Sequence, residues 1–304
     1  MTPCSPMYWQ VWKMVEASIS ALSGLLRLIP DWLPGKSRLG RMLLHPFELR
    51  VPATLIDRAG CRYVLPSYAE PIAQDIFTFG AYEAGTRDVI LEFLSLSGTF
   101  IDVGANVGAI TVPIAKARPR ASIMCVEADP YIHRMLEDNV RWNGCTQVRT
   151  ISCIAGIADD QLIAFYRAPK EKFGMGSVGP QFGAAPIMVK QRTLDTLLVE
   201  MNIDQVDVVK IDVEGAELGV LRGAQHLLAS KKPPVVIFEF ADWAEARIPG
   251  QQPGDAQGTL FSSGYRLFQL SPSGGIGEEL LAPMHHGATM LLGLPPHVSV
   301  PWKR

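Results

Sequence analysis

The 304-residue sequence is 48% hydrophobic and 19% charged, with a formal net charge of -2. That balance excludes a largely disordered chain, and without a polybasic run it offers no electrostatic footprint for nucleic acid. The length allows a full core, as one large domain or two medium ones.

Five cysteines (Cys4, Cys61, Cys125, Cys145 and Cys153) are scattered without a CxxC pair. Such usage reads as free thiols in a reducing compartment, not a disulfide frame or zinc site, so a cytoplasmic protein is expected. From Tyr8 to Ile29 the chain is apolar but is interrupted by Lys13, Glu16 and Arg27. It is too broken for a span of about 20 apolar residues, and it lacks the layout of a cleaved leader. Val11, Met14, Val15, Ile19, Leu22, Leu25, Leu26 and Ile29 approximate helical spacing. The expected helix packs on the protein itself or on a second subunit, making a homo-oligomer. Peripheral membrane contact through Trp9 and Trp12 is the competing reading.

Residues from about 30 to 65 read as an irregular cap or small β element. The expected division is an N-terminal extension over 1–65 and a main domain over 66–304. From about residue 86 apolar runs alternate with helical patterns, which predicts an α/β fold: a doubly wound, mostly parallel sheet behind a helical and irregular extension. The strands are Thr99–Val103, Ser122–Glu127, Val148–Ile154, Val206–Asp212 and Val235–Phe240. Their unbroken Val and Ile content suits strands buried on both faces. Helices are expected at about 108–117 and after Asp129-Pro130, where Asp is a good cap and Pro a good first residue. A further stripe runs from Ala216 to Leu228. Runs at Tyr265–Leu270 and Thr289–Leu294 predict an antiparallel hairpin at the sheet edge. Ala168 to Pro186, rich in Gly and Pro, predicts a hairpin with a long mobile tip that few side chains anchor, the kind of loop that serves as a lid.

The run Phe100-Ile101-Asp102-Val103-Gly104-Ala105-Asn106-Val107-Gly108 is a strand entering a tight turn. In doubly wound folds ligands lie at such strand ends, and glycines let the backbone approach closely. Asn106 stands where a dinucleotide fingerprint has its second glycine, which argues against a nicotinamide-dependent oxidoreductase. Glu127 ends the next strand, roughly 20 residues on, where a carboxylate accepts both ribose hydroxyls. The third signal is Lys210-Ile211-Asp212-Val213-Glu214-Gly215-Ala216-Glu217, with Glu239 ending the neighbouring strand. Carboxylates packed this closely raise one another's pKa, which suits a general base, and equally could bind a divalent cation. Capping of the following helix is the structural reading of Glu214 and Glu217.

These runs, with Glu127-Ala128-Asp129-Pro130, Thr193-Leu194-Asp195, Leu221-Arg222-Gly223-Ala224, Pro234 to Glu239 and upstream Gly80-Ala81-Tyr82-Glu83, resemble the FkbM-type methyltransferases over about residues 75–270. The resemblance implies a class I fold, S-adenosylmethionine as donor, and O-methylation of a sugar or polyketide hydroxyl in a small-molecule or glycan acceptor. It places Asp102 and Gly104 by the methionine part, Glu83 by its amino-acid end, and Glu127 by the ribose. Asn106 and Gly108 complete the turn, and Ala128 and Ile154 join the cofactor set, Ile154 from the segment near the adenine. Asp212, Glu214 and Glu239 become the catalytic carboxylates, and no metal ligand set is implied. A non-catalytic nucleotide-binding scaffold is the alternative on the same fold.

Overall fold

The structure, a computed structural model, describes residues 6–48, 53–183 and 185–300, with side chains from residue 14 onward. Its packing divides the chain into two units, Met1–Tyr82 with Pro169–Gly174, and Glu83–Ala168 with Met175–Arg304.

In the first unit, helices α1 (Pro6–Leu26) and α2 (Lys36–Leu44) precede strands β1 (Ala53–Ile56) and β2 (Arg62–Leu65) and helix α3 (Pro71–Phe79). The strands form an antiparallel hairpin with Ala53 opposite Leu65. Asp57 closes its turn, accepting from Cys61 N at 2.8 Å and from Tyr63 Oη at 3.1 Å. Helix α1 buries Ile19 and Leu26. Ser23 Oγ donates to Phe77 O, and the Arg27 guanidinium donates to Ile56 O and Ile76 O, each at 2.7 Å. The N-terminal helix thus packs within its own unit. The side chains of Trp9 and Trp12 lie outside the described residues. No helix among the described residues is long and apolar enough to cross a membrane.

The second unit opens with α4 (Ala84–Phe93), β3 (Thr99–Val103), α5 (Thr111–Ala117), β4 (Ser122–Glu127), α6 (Pro130–Trp142) and β5 (Val148–Ser152). There follow β6 (Ile154–Ala155), β7 (Leu162–Phe165), β8 (Ile187–Arg192), α7 (Leu194–Glu200), β9 (Val208–Ile211), α8 (Glu217–Arg222) and α9 (Gln225–Leu228). The chain ends with β10 (Val235–Ala241), α10 (Asp242–Glu245), α11 (Asp255–Ser262), β11 (Arg266–Leu270), β12 (Ile276–Leu280) and β13 (Ala288–Leu294).

Eight strands form one sheet in the order β12-β11-β13-β10-β9-β3-β4-β5. The five from β10 to β5 are parallel, and β13, β11 and β12 extend them antiparallel. This is the doubly wound α/β sheet the alternation predicted. From β3 the chain builds outward to β4 and β5, then returns to the other side at β9. The β3/β9 boundary is therefore the switch point, where such sheets open a crevice at the carboxyl ends of their strands.

Two expected elements are divided. The run from Val148 to Ile154 ends as β5 at Ser152, and β6 joins a second sheet of order β6-β8-β7. The stripe from Ala216 to Leu228 becomes α8 and α9. They part at Gly223, where a Cβ would lie 2.0 Å from Gly156 O. Backbone contact between distant segments decides that break, and helical periodicity carries no sign of it.

The segment from Ala168 to Pro186 also differs from expectation. It contains a 3-10 turn at Lys170–Met175, and Tyr166 bridges to Ser177. Ser177 Oγ donates to Glu214 O at 2.8 Å, and Arg247 Nη1 donates to Gln181 Oε1 at 2.7 Å. The loop is anchored through side chains, because its polar residues find partners on β9 and α10 flanks that are remote in sequence.

Candidate active site

The first half of the site is the turn after β3. Asp102 is fully buried at the strand end. Thr111 Oγ1 donates to its Oδ2 at 2.6 Å, while Oδ1 accepts no hydrogen bond and lies 3.8 Å from Lys210 Nζ. Burial raises the Asp102 pKa, and Lys210 and Thr111 oppose that rise. Gly104 has φ 77°, and a Cβ there would stand 1.8 Å from Asp212 O. The close approach that demands glycine is thus made by the chain's own backbone, joining the ends of β3 and β9. Gly108, at φ 83°, lies under Leu136 of α6.

Asn106 takes a left-handed φ of 53°, a conformation asparagine tolerates better than most side chains. Its Oδ1 accepts from Val107 N at 2.8 Å, and its own N–H donates to Glu127 Oε2 at 2.9 Å. Glu127 Oε1 accepts from Asp129 N at 2.8 Å. Burial pushes Glu127 up to about 7 against the pull of these hydrogen bonds. Ala128 packs against a small apolar cluster of Ile154, Phe165 and Val189. Asp129 caps α6 through Tyr131 N and holds Arg167 at 2.6 and 2.7 Å. The turn, the acid and the apolar residues proposed for the donor therefore adjoin one another at the ends of β3, β4 and β5.

The second half lies after β9 and β10. One oxygen each from Asp212, Glu214 and Glu239 lies within 4.8 Å of the others. Glu214 adopts φ 55°. Burial and then Asp212 push its carboxyl up to about 7, opposed by Arg247 and Lys210. Glu239 rises well above the carboxylate range because it is buried beside Asp212, Glu214 and Glu217. Glu239 Oε2 has no hydrogen-bond partner. Three oxygens at this spacing also match part of a divalent cation's shell, the rest of which water would supply. Spacing alone leaves the cluster an acidic pocket. Glu217 serves the turn instead, its Oε1 accepting from Val213 N at 2.9 Å.

Lys210, quoted in the motif but given no role there, sits between the halves. Its Nζ lies 3.0 Å from Asp212 Oδ2 and its side chain is 3% exposed. Burial pulls its pKa down, but Asp212, Asp102 and Glu83 more than reverse this, so the group stays cationic. Glu83, at the start of α4, is thereby brought to the same site. The available signal was a single lysine inside the apolar run Val208-Val209-Lys210-Ile211. His226 and His286 are exposed and pair with Asp195 and Asp242.

The donor-side residues fit an adenosine-bearing ligand with a polar amino-acid end. Asp102 presents an acceptor oxygen with no donor, Glu127 keeps spare lone pairs at the next strand end, and Ala128 with Ile154 supplies apolar surface. A switch-point crevice with these groups defines the class, a class I methyltransferase on a Rossmann-like sheet.

The family described as "Methyltransferase FkbM domain" matches residues 102–267. The chain belongs to that family, and S-adenosylmethionine is its methyl donor. It is 25% identical to methyltransferase sdnD of Sordaria araneosa over 199 residues, 56% of this chain and 74% of that protein. It is 26% identical to 2-O-methyltransferase NoeI of Sinorhizobium fredii over 195 residues, 60% of this chain and 77% of that one. A match to the AMB antimetabolite synthetase AmbE of Pseudomonas aeruginosa, 26% identical, spans 55% of this chain but 9% of that much longer protein. Among solved structures, precorrin-6y C5,15-methyltransferase from Geobacter metallireducens overlaps with a TM-score of 0.41 at 12% identity, over 70% of this chain and 87% of that chain.

Proposed function

We propose that this methyltransferase acts on a hydroxyl of a sugar or polyketide-type acceptor, with Glu214 as the general base. The observation that carries the reading is the Asp212, Glu214 and Glu239 cluster, in which Glu214 is poised at about 7. A base works best when its pKa lies near the working pH. Asp212 is engaged by Lys210 and Glu239 retains its proton, which leaves Glu214 to take the hydroxyl proton and Glu239 to donate a hydrogen bond to the acceptor. The relative NoeI, a 2-O-methyltransferase, supports oxygen as the atom methylated.

On the donor side, Asp102 and Glu83 face the amino-acid end and Glu127 takes the ribose hydroxyls. Gly104, Asn106 and Gly108 shape the turn beneath, and Ala128 and Ile154 flank the adenine. Bound there, S-adenosylmethionine supplies an already activated methyl group.

The test is transfer of labelled methyl into a panel of sugars, lipids and polyketides, with the product's methylated atom identified. Glu214→Gln should then cut turnover by about 10²–10⁴-fold with donor affinity unchanged. Label arriving on nitrogen or carbon, or full turnover in that variant, would overturn the reading.

A further inference from the structure

Lys210 puts a charge into a strand whose other residues are apolar. Val208, Val209 and Ile211, the other residues of β9, are buried. The strand register sets Lys210 directly opposite Asp102 of β3. From there its Nζ reaches both 3.8 Å to Asp102 Oδ1 and 3.0 Å to Asp212 Oδ2. One ammonium therefore touches the carboxylate at the donor end of β3 and the carboxylate that follows β9. A solitary buried lysine would shed its proton, so its cationic state is a property of this pairing.

The charged groups around the carboxylate cluster come from several elements. Asp102 belongs to β3, Glu83 precedes α4, Asp212 and Glu214 follow β9, Glu217 opens α8 and Glu239 lies in β10. Against these carboxylates stand two cations, Lys210 and, acting on Glu214, Arg247. Arg247, stacked 4.4 Å from the Trp243 ring and bonded to Gln181, acts on Glu214 more strongly than Lys210 does, whereas Lys210 acts on Glu239 as well.

We propose that Lys210 is the positioning residue of this site: its buried ammonium ties Asp102 to Asp212 and adds positive charge that favours the ionised form of Glu214. Its effect on both Glu214 and Glu239 is to favour the charged form. Without it, both would face Asp212 with no cation from the sheet. The consequence for catalysis rests on Glu214 being the base; the electrostatic role does not.

The experiment uses the full chain labelled with ¹³C at the glutamate side-chain carboxyl, with the Glu214 resonance assigned by its loss in Glu214→Gln. Lys210→Met should raise the Glu214 titration midpoint, by up to about 1 pH unit because Arg247 remains. A cooperative thermal melt followed by circular dichroism reports that the variant is folded. If Lys210→Met does not fold, Lys210→Met with Asp102→Asn, read against Asp102→Asn alone, removes one charge of each sign and carries the same measurement. An unmoved midpoint in the folded variant overturns the proposal. The two readings fail separately: full turnover in Glu214→Gln removes Glu214 as base, while a shifted midpoint in Lys210→Met still establishes the lysine's role.

Discussion

Glu127 accepts from backbone N–H groups on two elements, Asn106 in the turn after β3 and Asp129 at the head of α6. Truncation to alanine would therefore do two things at once. It would remove the carboxylate proposed for the ribose, and it would strip two backbone donors of their partner. Hydrogen bonds to a charged group contribute about 1.5–3 kcal/mol each, so Glu127→Ala should both weaken the donor and loosen the turn. Glu127→Gln removes the charge and one of the two acceptors, because its NH2 would face a backbone N–H where a carboxylate oxygen now accepts. Calorimetry should show Glu127→Gln melting between the parent and Glu127→Ala, and binding S-adenosylhomocysteine more weakly than the parent. Parent-like affinity in that variant would take Glu127 out of the donor site. The acidic residues were legible in the sequence because strand ends of doubly wound sheets are where ligands sit. Lys210 was not given a role, because only strand register reveals that it faces Asp102.

At the scale of elements, the anchored segment between β7 and β8 has a defined handle on the site. Ser177 Oγ donates to the carbonyl of Glu214, a residue already held at a left-handed φ of 55°. Non-glycine residues in that region carry strain that surrounding contacts must hold. Ser177→Ala should free the Glu214 turn and lower turnover severalfold, with donor affinity little changed, since Ser177 holds Glu214 and none of the donor-side residues. Turnover and S-adenosylhomocysteine affinity measured on one preparation check this. Equal losses in both would assign Ser177 to general stability. The sequence pattern exposed the hairpin but not its anchoring, because Ser177 and Glu214 are far apart in the chain and nothing in the composition of either segment names the other.

Over the whole molecule, several carboxyl groups are raised chiefly by burial. Glu70 and Glu217 reach about 8, and Glu127, Glu214 and Glu245 about 7, from an ordinary value of 4.5. In the unfolded chain these groups release protons near 4.5, whereas the folded chain keeps them bound. Between those values the native state holds more protons than the unfolded one, so stability falls as pH rises. Their contribution is complete below about 4.5 and is lost through about 7–8. Asp159, held down to about 2 chiefly by Thr193, acts with the opposite sign but only in more acid solution. Thermal melts without donor should therefore give a higher Tm at about pH 5.5 than at about pH 8.5. A flat or rising profile would show that these carboxyls ionise freely in the folded protein.

The sequence by itself determined the doubly wound sheet, the turn at Gly104 and the acids that end its strands. Those depend on local periodicity and on turn chemistry, which neighbouring residues specify. Tertiary structure decided the rest. It split the stripe after β9 at Gly223 by bringing Gly156 O against it, and it filled the space beside Gly104 with the Asp212 carbonyl. It gathered Asp212, Glu214 and Glu239 into one pocket and set Lys210 between Asp102 and Asp212. Each of these is a contact across strands or between distant segments, fixed by register and close packing, for which no window of sequence carries the information.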